Sequence, residues 1–139
     1  MTAVVSRFET TFGALILVQA AHSIEECVGR LWESYPPARF VAGLVSTDHE
    51  RGFVTLNVLL VTFGVWCYLW PVRRHWTSAV SLAWIWAVIE IINGIAHPLW
   101  SIMERGYTPG VGTAPLLFIL AVYLASQLRR GISDSTTAI

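Results

Sequence analysis

The sequence predicts an all-α integral membrane protein folded as a four-helix bundle, on three observations. Its 139 residues are 55% hydrophobic and only 13% charged, about half the charged share of a soluble domain. The apolar residues gather into long runs closed by proline, glycine and paired arginines. The runs approach the ~20 residues that a helix needs to cross ~30 Å of hydrocarbon. One four-span transmembrane domain is expected over residues 1–132, followed by a short polar tail over residues 133–139.

The first span is read from Phe8 to Trp32, apolar early and polar in its second half. The second, Phe53 to Trp70, is the most apolar and is closed by Pro71 and the pair Arg73-Arg74. A third runs from Thr77 to Trp100, ending just after Pro98, and a fourth from Val111 to Arg129-Arg130-Gly131. Between the first two, Pro36-Pro37 stops a helix, and Phe40 to Val45 reads as a segment lying in the interface or dipping inward. Arg7 and the run Gly13 to Val18 make a poor signal peptide, because Glu9 occupies the basic region and the helical pattern continues past Ala20-Ala21. Four spans place both termini on one side. The arginine pairs at the span ends on that side favour the cytoplasm.

Charge and cysteine usage exclude other classes. All nine basic residues are arginine and the formal net charge is zero, so no nucleic-acid partner is expected. Cys27 and Cys67 fall inside spans and read as small buried hydrophobes rather than a disulfide.

Two polar clusters interrupt the apolar runs. In the first span His22 and Glu26 are four residues apart and share a face, with Glu25 beside it and Gln19 and Glu33 extending the stripe. In the third, Glu90, Asn93 and His97 follow spacings of three and four and also share a face. Counted from Thr10 and Thr77, both clusters lie at about one depth, in helices running the same way, and Asn57 on the second span falls near that level. His49, Glu50 and Asp48 stand at the mouth above.

An ionised carboxylate near mid-bilayer costs about 2.5–3.5 kcal/mol. Glu25, Glu26 and Glu90 unpaired would together cost roughly 8–10 kcal/mol, comparable to a small protein's whole stability. A metal ion, protonation or a wet cavity can offset that. Two imidazoles with two or three carboxylates suit zinc, iron or manganese. The order His-x-x-Glu-Glu and Glu-x-x-Asn-x-x-x-His shares the ligand inventory of four-helix diiron sites but not their Glu-x-x-His motif. Trp32, Trp70, Trp76 and Trp100 at span ends read as an interfacial belt. The deeper Trp84 and Trp86, with Asn57, are read as lining a substrate pocket.

The run His22-Ser23-Ile24-Glu25-Glu26 resembles the signature of the HXXEE family of small multi-pass bacterial membrane proteins. The resemblance extends to Asn93 and His97, and to the segment Tyr107-Thr108-Pro109-Gly110-Val111-Gly112-Thr113-Ala114-Pro115. It implies a multi-pass fold in a bacterial inner membrane and an enzymatic role for polar residues within the spans. Pro109-Gly110 itself is accounted for by a type II turn leading into the last helix.

The reading that follows is a membrane-embedded enzyme dependent on a divalent metal, zinc or iron. His22, Glu26 and His97, with Glu25 or Glu90, would bind the ion. The remaining glutamate would serve as general base, with Asn93 orienting a ligand or stabilising an oxyanion. Hydrolysis or hydration of a lipophilic small molecule drawn from the bilayer is the simplest chemistry. A second reading is metal-free acid–base isomerisation, epoxide opening or cyclisation of an isoprenoid-like lipid, with Glu25 and Glu26 crowded so that one stays protonated. A third is a non-enzymatic ion or proton carrier.

Overall fold

The computed structural model describes the backbone of residues 2–137 and the side chains of residues 7–130. It is all-helical, with no strand among the described residues. Four long helices are α1 (Thr2–Val28), α4 (His49–Cys67), α5 (Ala79–Glu104) and α6 (Ala114–Thr137). Two short helices, α2 (Leu31–Ser34) and α3 (Pro36–Val45), link α1 to α4, and a π-helical turn, Tyr68–Val72, prolongs α4. Residues 138 and 139 of the expected tail lie outside the described residues, and α6 continues helical from Gly131 to Thr137.

Several boundaries differ from the sequence reading: α1 begins at Thr2 rather than Phe8, α4 at His49 rather than Phe53, and α6 ends at Thr137 rather than Gly131. α1 stops at Val28 rather than Trp32, because Gly29 packs directly against the Pro109 ring and Arg30 turns left-handed (φ 54°). Leu31 and Trp32 then point inward, and Trp32 lies in a small core with Phe53, 5.3 Å between ring centroids, rather than in an interfacial belt. α5 runs past Pro98 to Glu104, so that proline is absorbed within the helix. Pro36 ends α2 and occupies the first turn of α3, where its missing N–H costs nothing. Arg39 donates Nε to the Trp32 carbonyl (3.1 Å) and Nη2 to the Glu33 carbonyl (2.7 Å), satisfying carbonyls that α2 leaves free. Asp48 caps α4 by accepting from Arg51 N.

α5 packs on α6, α6 on α1 and α1 on α4, with α3 laid along α4. Small residues set these approaches. Gly94 seats Phe118 between α5 and α6, and Gly52 lies against the Ala42 backbone. α6 buries Ala114, Leu117, Ala121, Leu124 and Leu128, a three-four seam, and exposes Leu116, Ile119, Val122 and Tyr123. α5 repeats the pattern with a sharper contrast, burying Glu90 and His97 while exposing Ile85, Val88, Ile92, Ile95 and Leu99. The bundle is polar inside at one end and apolar outside.

Two helical stretches among the described residues, His49–Val72 and Ala79–Glu104, are long and apolar enough to cross a membrane. The sequence reading expects four. α1 is diluted by Gln19, His22, Ser23, Glu25 and Glu26, and α6 carries Gln127, Arg129 and Arg130 in its second half. Neither cysteine is bonded to the other; Cys67 is buried and Cys27 half-buried.

Candidate metal centre

Two helices and one loop build the site, at the end of the bundle that carries α2 and α3. His22 and Glu26 stack one turn apart on α1 and are buried. His22 Nε2 stands 3.3 Å from Glu26 Oε1. From α5, His97 Nε2 reaches the same oxygen at 3.1 Å. The two imidazoles meet edge to face with centroids 4.7 Å apart. One ligand atom from each residue lies within 4.8 Å of the other two, so His22, Glu26 and His97 can hold one metal ion.

α1 and α5 meet here through side chains rather than by close backbone packing. Their register is held lower down by Gln19 and Glu90. With the Gln19 amide nitrogen facing Glu90 it donates to both carboxylate oxygens, at 2.9 and 3.0 Å, while its oxygen accepts from Ser23 Oγ at 3.1 Å. Glu26–His97 and Gln19–Glu90 share one sequence offset, as expected for helices running the same way.

The loop from Gly106 to Thr113 closes the end of the site. Thr108 to Val111 form a turn, with Val111 N donating to the Thr108 carbonyl at 3.2 Å and Gly110 at φ 92°, the geometry of a type II turn. Pro109 presents its carbonyl to His97 Nδ1 at 2.9 Å. A carbonyl only accepts, so Nδ1 carries a proton, and in the neutral ring Nε2 turns its lone pair inward. Gly110 lies on both imidazoles: a Cβ there would fall 2.5 Å from His97 Cε1 and 2.9 Å from His22 Cε1. The turn explained by sequence alone is therefore also a wall of the site.

Glu25 departs from the reading as ligand or general base. Its carboxylate accepts from Tyr107 OH (2.7 Å), Gly112 N (2.9 Å), Thr113 N (2.9 Å) and Thr113 Oγ1 (2.7 Å). These two amides immediately precede α6 at its N-terminal end, so Glu25 anchors the start of α6 from another helix. The bond to this carboxylate also pushes the Tyr107 phenol above its ordinary pKa. Glu25 and Glu26, expected to crowd one another, have entirely different partners.

Glu90 is fully buried, but it lies seven residues from His97, about 10 Å further along the axis. It accepts from Asn93 Nδ2 (3.2 Å) and Gln19 rather than joining the three ligands. Asn93 is thus engaged with Glu90. Asn57 is buried and donates to the Phe53 carbonyl at 3.3 Å. Trp86 packs against Ile16 and Gly64 and stacks near Phe63, inside the apolar core, and Trp84 borders that core. The aromatic ring beside His97 is Tyr35, 6.4 Å away, itself edge-on to Trp100 at 5.0 Å. At the mouth, Arg30 pairs with Glu33 (2.7 Å) and Glu50 (3.5 Å).

The family model described as "Protein of unknown function with HXXEE motif" matches residues 13–125. The chain belongs to the HXXEE family. No curated protein and no solved structure matches it. In this HXXEE protein the motif divides in space: its histidine and last glutamate face His97, and its first glutamate faces the loop. Thr113, Tyr107 and Tyr35 are site residues that spacing on a helix does not reveal. For Thr113 and Tyr107 the only sequence signal is their place in the segment shared with the family.

Proposed function

We propose that this protein is a four-span membrane enzyme that uses a divalent metal ion held by His22, Glu26 and His97 on a lipophilic substrate, most simply for hydrolysis or hydration. The observation that carries this reading is the convergence, in a buried place, of one ligand atom each from His22, Glu26 and His97 within 4.8 Å of one another. In a neutral His97 ring bonded to the Pro109 carbonyl Nε2 is a lone pair, His22 Nε2 makes no hydrogen bond, and both nitrogens stand against one Glu26 carboxylate oxygen. Three electron-rich atoms taken from water repel one another unless a cation joins them. Two imidazoles and one carboxylate are a set that zinc and non-haem iron accept with positions left open. Zinc would lower the pKa of a bound water to about 7.

The inside-out distribution of side chains supports the membrane assignment. Polar and ionisable groups face inward on α1 and α5, while isoleucine, valine and leucine face outward on α5 and α6. With the two apolar stretches as spans, α1 and α6 complete the bundle around them. Both termini then share a side with Arg73, Arg74, Arg129 and Arg130, the cytoplasmic side by charge. A substrate reaching a site so enclosed by apolar surface is most simply a lipid-soluble one.

Metal analysis of the detergent-purified protein is the direct test. About one zinc or iron per chain is expected, lost on dialysis against a chelator and absent from His97→Ala. Less than about 0.1 ion per chain after metal supplementation would overturn the metal reading. One observation favours a second reading. Both Nε2–Oε1 distances, 3.1 and 3.3 Å, also suit protons shared between imidazolium and carboxylate, hence metal-free acid–base catalysis. Activity untouched by chelators yet lost in Glu26→Gln would establish that alternative.

A further inference from the structure

We infer that Glu25 and Thr113 are positioning residues that decide which nitrogen of His22 is free to bind. The inference rests on the metal reading for its consequence but not for its first step. His22 lies between two acceptors. On one side Thr113 Oγ1 is 2.7 Å from Nδ1; on the other Glu26 Oε1 is 3.3 Å from Nε2. A neutral imidazole has one proton for these two places.

Alone, a carboxylate is the better acceptor, so the proton would go to Nε2 and close that nitrogen to a metal. Thr113 reverses the preference because its own hydroxyl proton is committed to Glu25 Oε2 at 2.7 Å. An oxygen that donates to a carboxylate becomes a stronger acceptor. Its free lone pairs face His22, and the proton is drawn to Nδ1. The charge of Glu25 thus acts on His22 through one hydroxyl and balances that of Glu26. The result is the same tautomer that the Pro109 carbonyl imposes on His97, with both Nε2 atoms aimed at Glu26.

The first glutamate of the motif therefore works as an outer partner of a ligand. Outer partners that orient a metal-binding histidine are worth about 10–100-fold in metal affinity. Glu25 also anchors the start of α6, so a merely structural role must be separated. Thr113→Val does this, because it keeps the Gly112 and Thr113 amides that Glu25 accepts from and removes only the hydroxyl.

Two readouts on detergent-purified protein test the proposal. In apo protein labelled with 15N-histidine, and at a pH where the imidazoles are neutral, His22 is expected as the Nδ1–H tautomer. It should shift towards Nε2–H in Thr113→Val and in Glu25→Gln, and return in Thr113→Ser. In a Co2+ titration, Thr113→Val should bind about 10–100-fold more weakly than the parent, and Thr113→Ser close to it. An unchanged tautomer in both Thr113→Val and Glu25→Gln, with Co2+ affinity intact, would overturn the inference. A tautomer shift in a protein that binds no Co2+ would leave the relay standing and defeat only the metal reading. Should Thr113→Val lose its helical circular dichroism, Glu25→Gln and Thr113→Ser carry the comparison.

Discussion

The two ends of this bundle solve opposite problems. At the end near the termini, Phe12, Leu15, Ile16, Cys67, Val72, Trp86, Leu124 and Leu128 form an apolar core dominated by close packing. At the other end, Gln19, His22, Glu26, Glu90 and His97 are just as buried, yet each is polar and each is held by a named partner. On the proposed membrane reading, apolar side chains gain little by leaving lipid for one another, so the apolar end depends on shape. The polar end depends on satisfied hydrogen bonds, because an unpaired buried group has no water to return to. The first end holds the helices together; the second carries the proposed site.

Three changes sharpen that contrast. The largest effect on stability is expected at the apolar end. Trp86→Ala removes a ring wedged against Gly64 and Ile16 and should cost about 3–5 kcal/mol, read as a lowered unfolding midpoint in detergent. It should leave metal stoichiometry intact; loss of metal without loss of stability would mean that the two ends are not separate. At the polar end Gly110→Ala places a Cβ against both imidazoles at a positive φ. A destabilisation of about 1–3 kcal/mol is expected, together with loss of the bound ion. Metal retained at parental affinity would show that the loop does not wall the site. The smallest effect concerns Tyr107. Its phenol is held above its ordinary pKa by donating to Glu25, so the folded state keeps a proton that the unfolded chain gives up. That contribution is complete below the ordinary tyrosine pKa and is lost as pH rises through the folded one. Tyr107→Phe should therefore reduce the parent's extra stability at neutral pH and abolish this part of its alkaline decline, measured by thermal unfolding across alkaline pH.

The long helices and the shared faces were legible because α-helical spacing is a local property. His22 with Glu26, and Glu90 with His97, can be placed on their faces from residue number alone. Depth counting set α1 against α5 only to within about a turn, since it put Glu90 level with His22 where the structure sets it against Gln19. The break at Gly29 was not legible, because it depends on Pro109 arriving from eighty residues away. Nor was the burial of Trp32, which follows from that break.

By itself, then, the sequence determined the helical class, the buried polar stripe and the histidines and glutamates worth watching. Only the tertiary structure decided what each glutamate does. Glu25 and Glu26 are neighbours in sequence, but successive side chains on a helix diverge by about a hundred degrees. One therefore turns to the histidines and the other to a loop whose position no spacing rule contains. The chemistry of the motif was written in its residue types, and its division of labour in the path of the chain from Gly106 to Thr113.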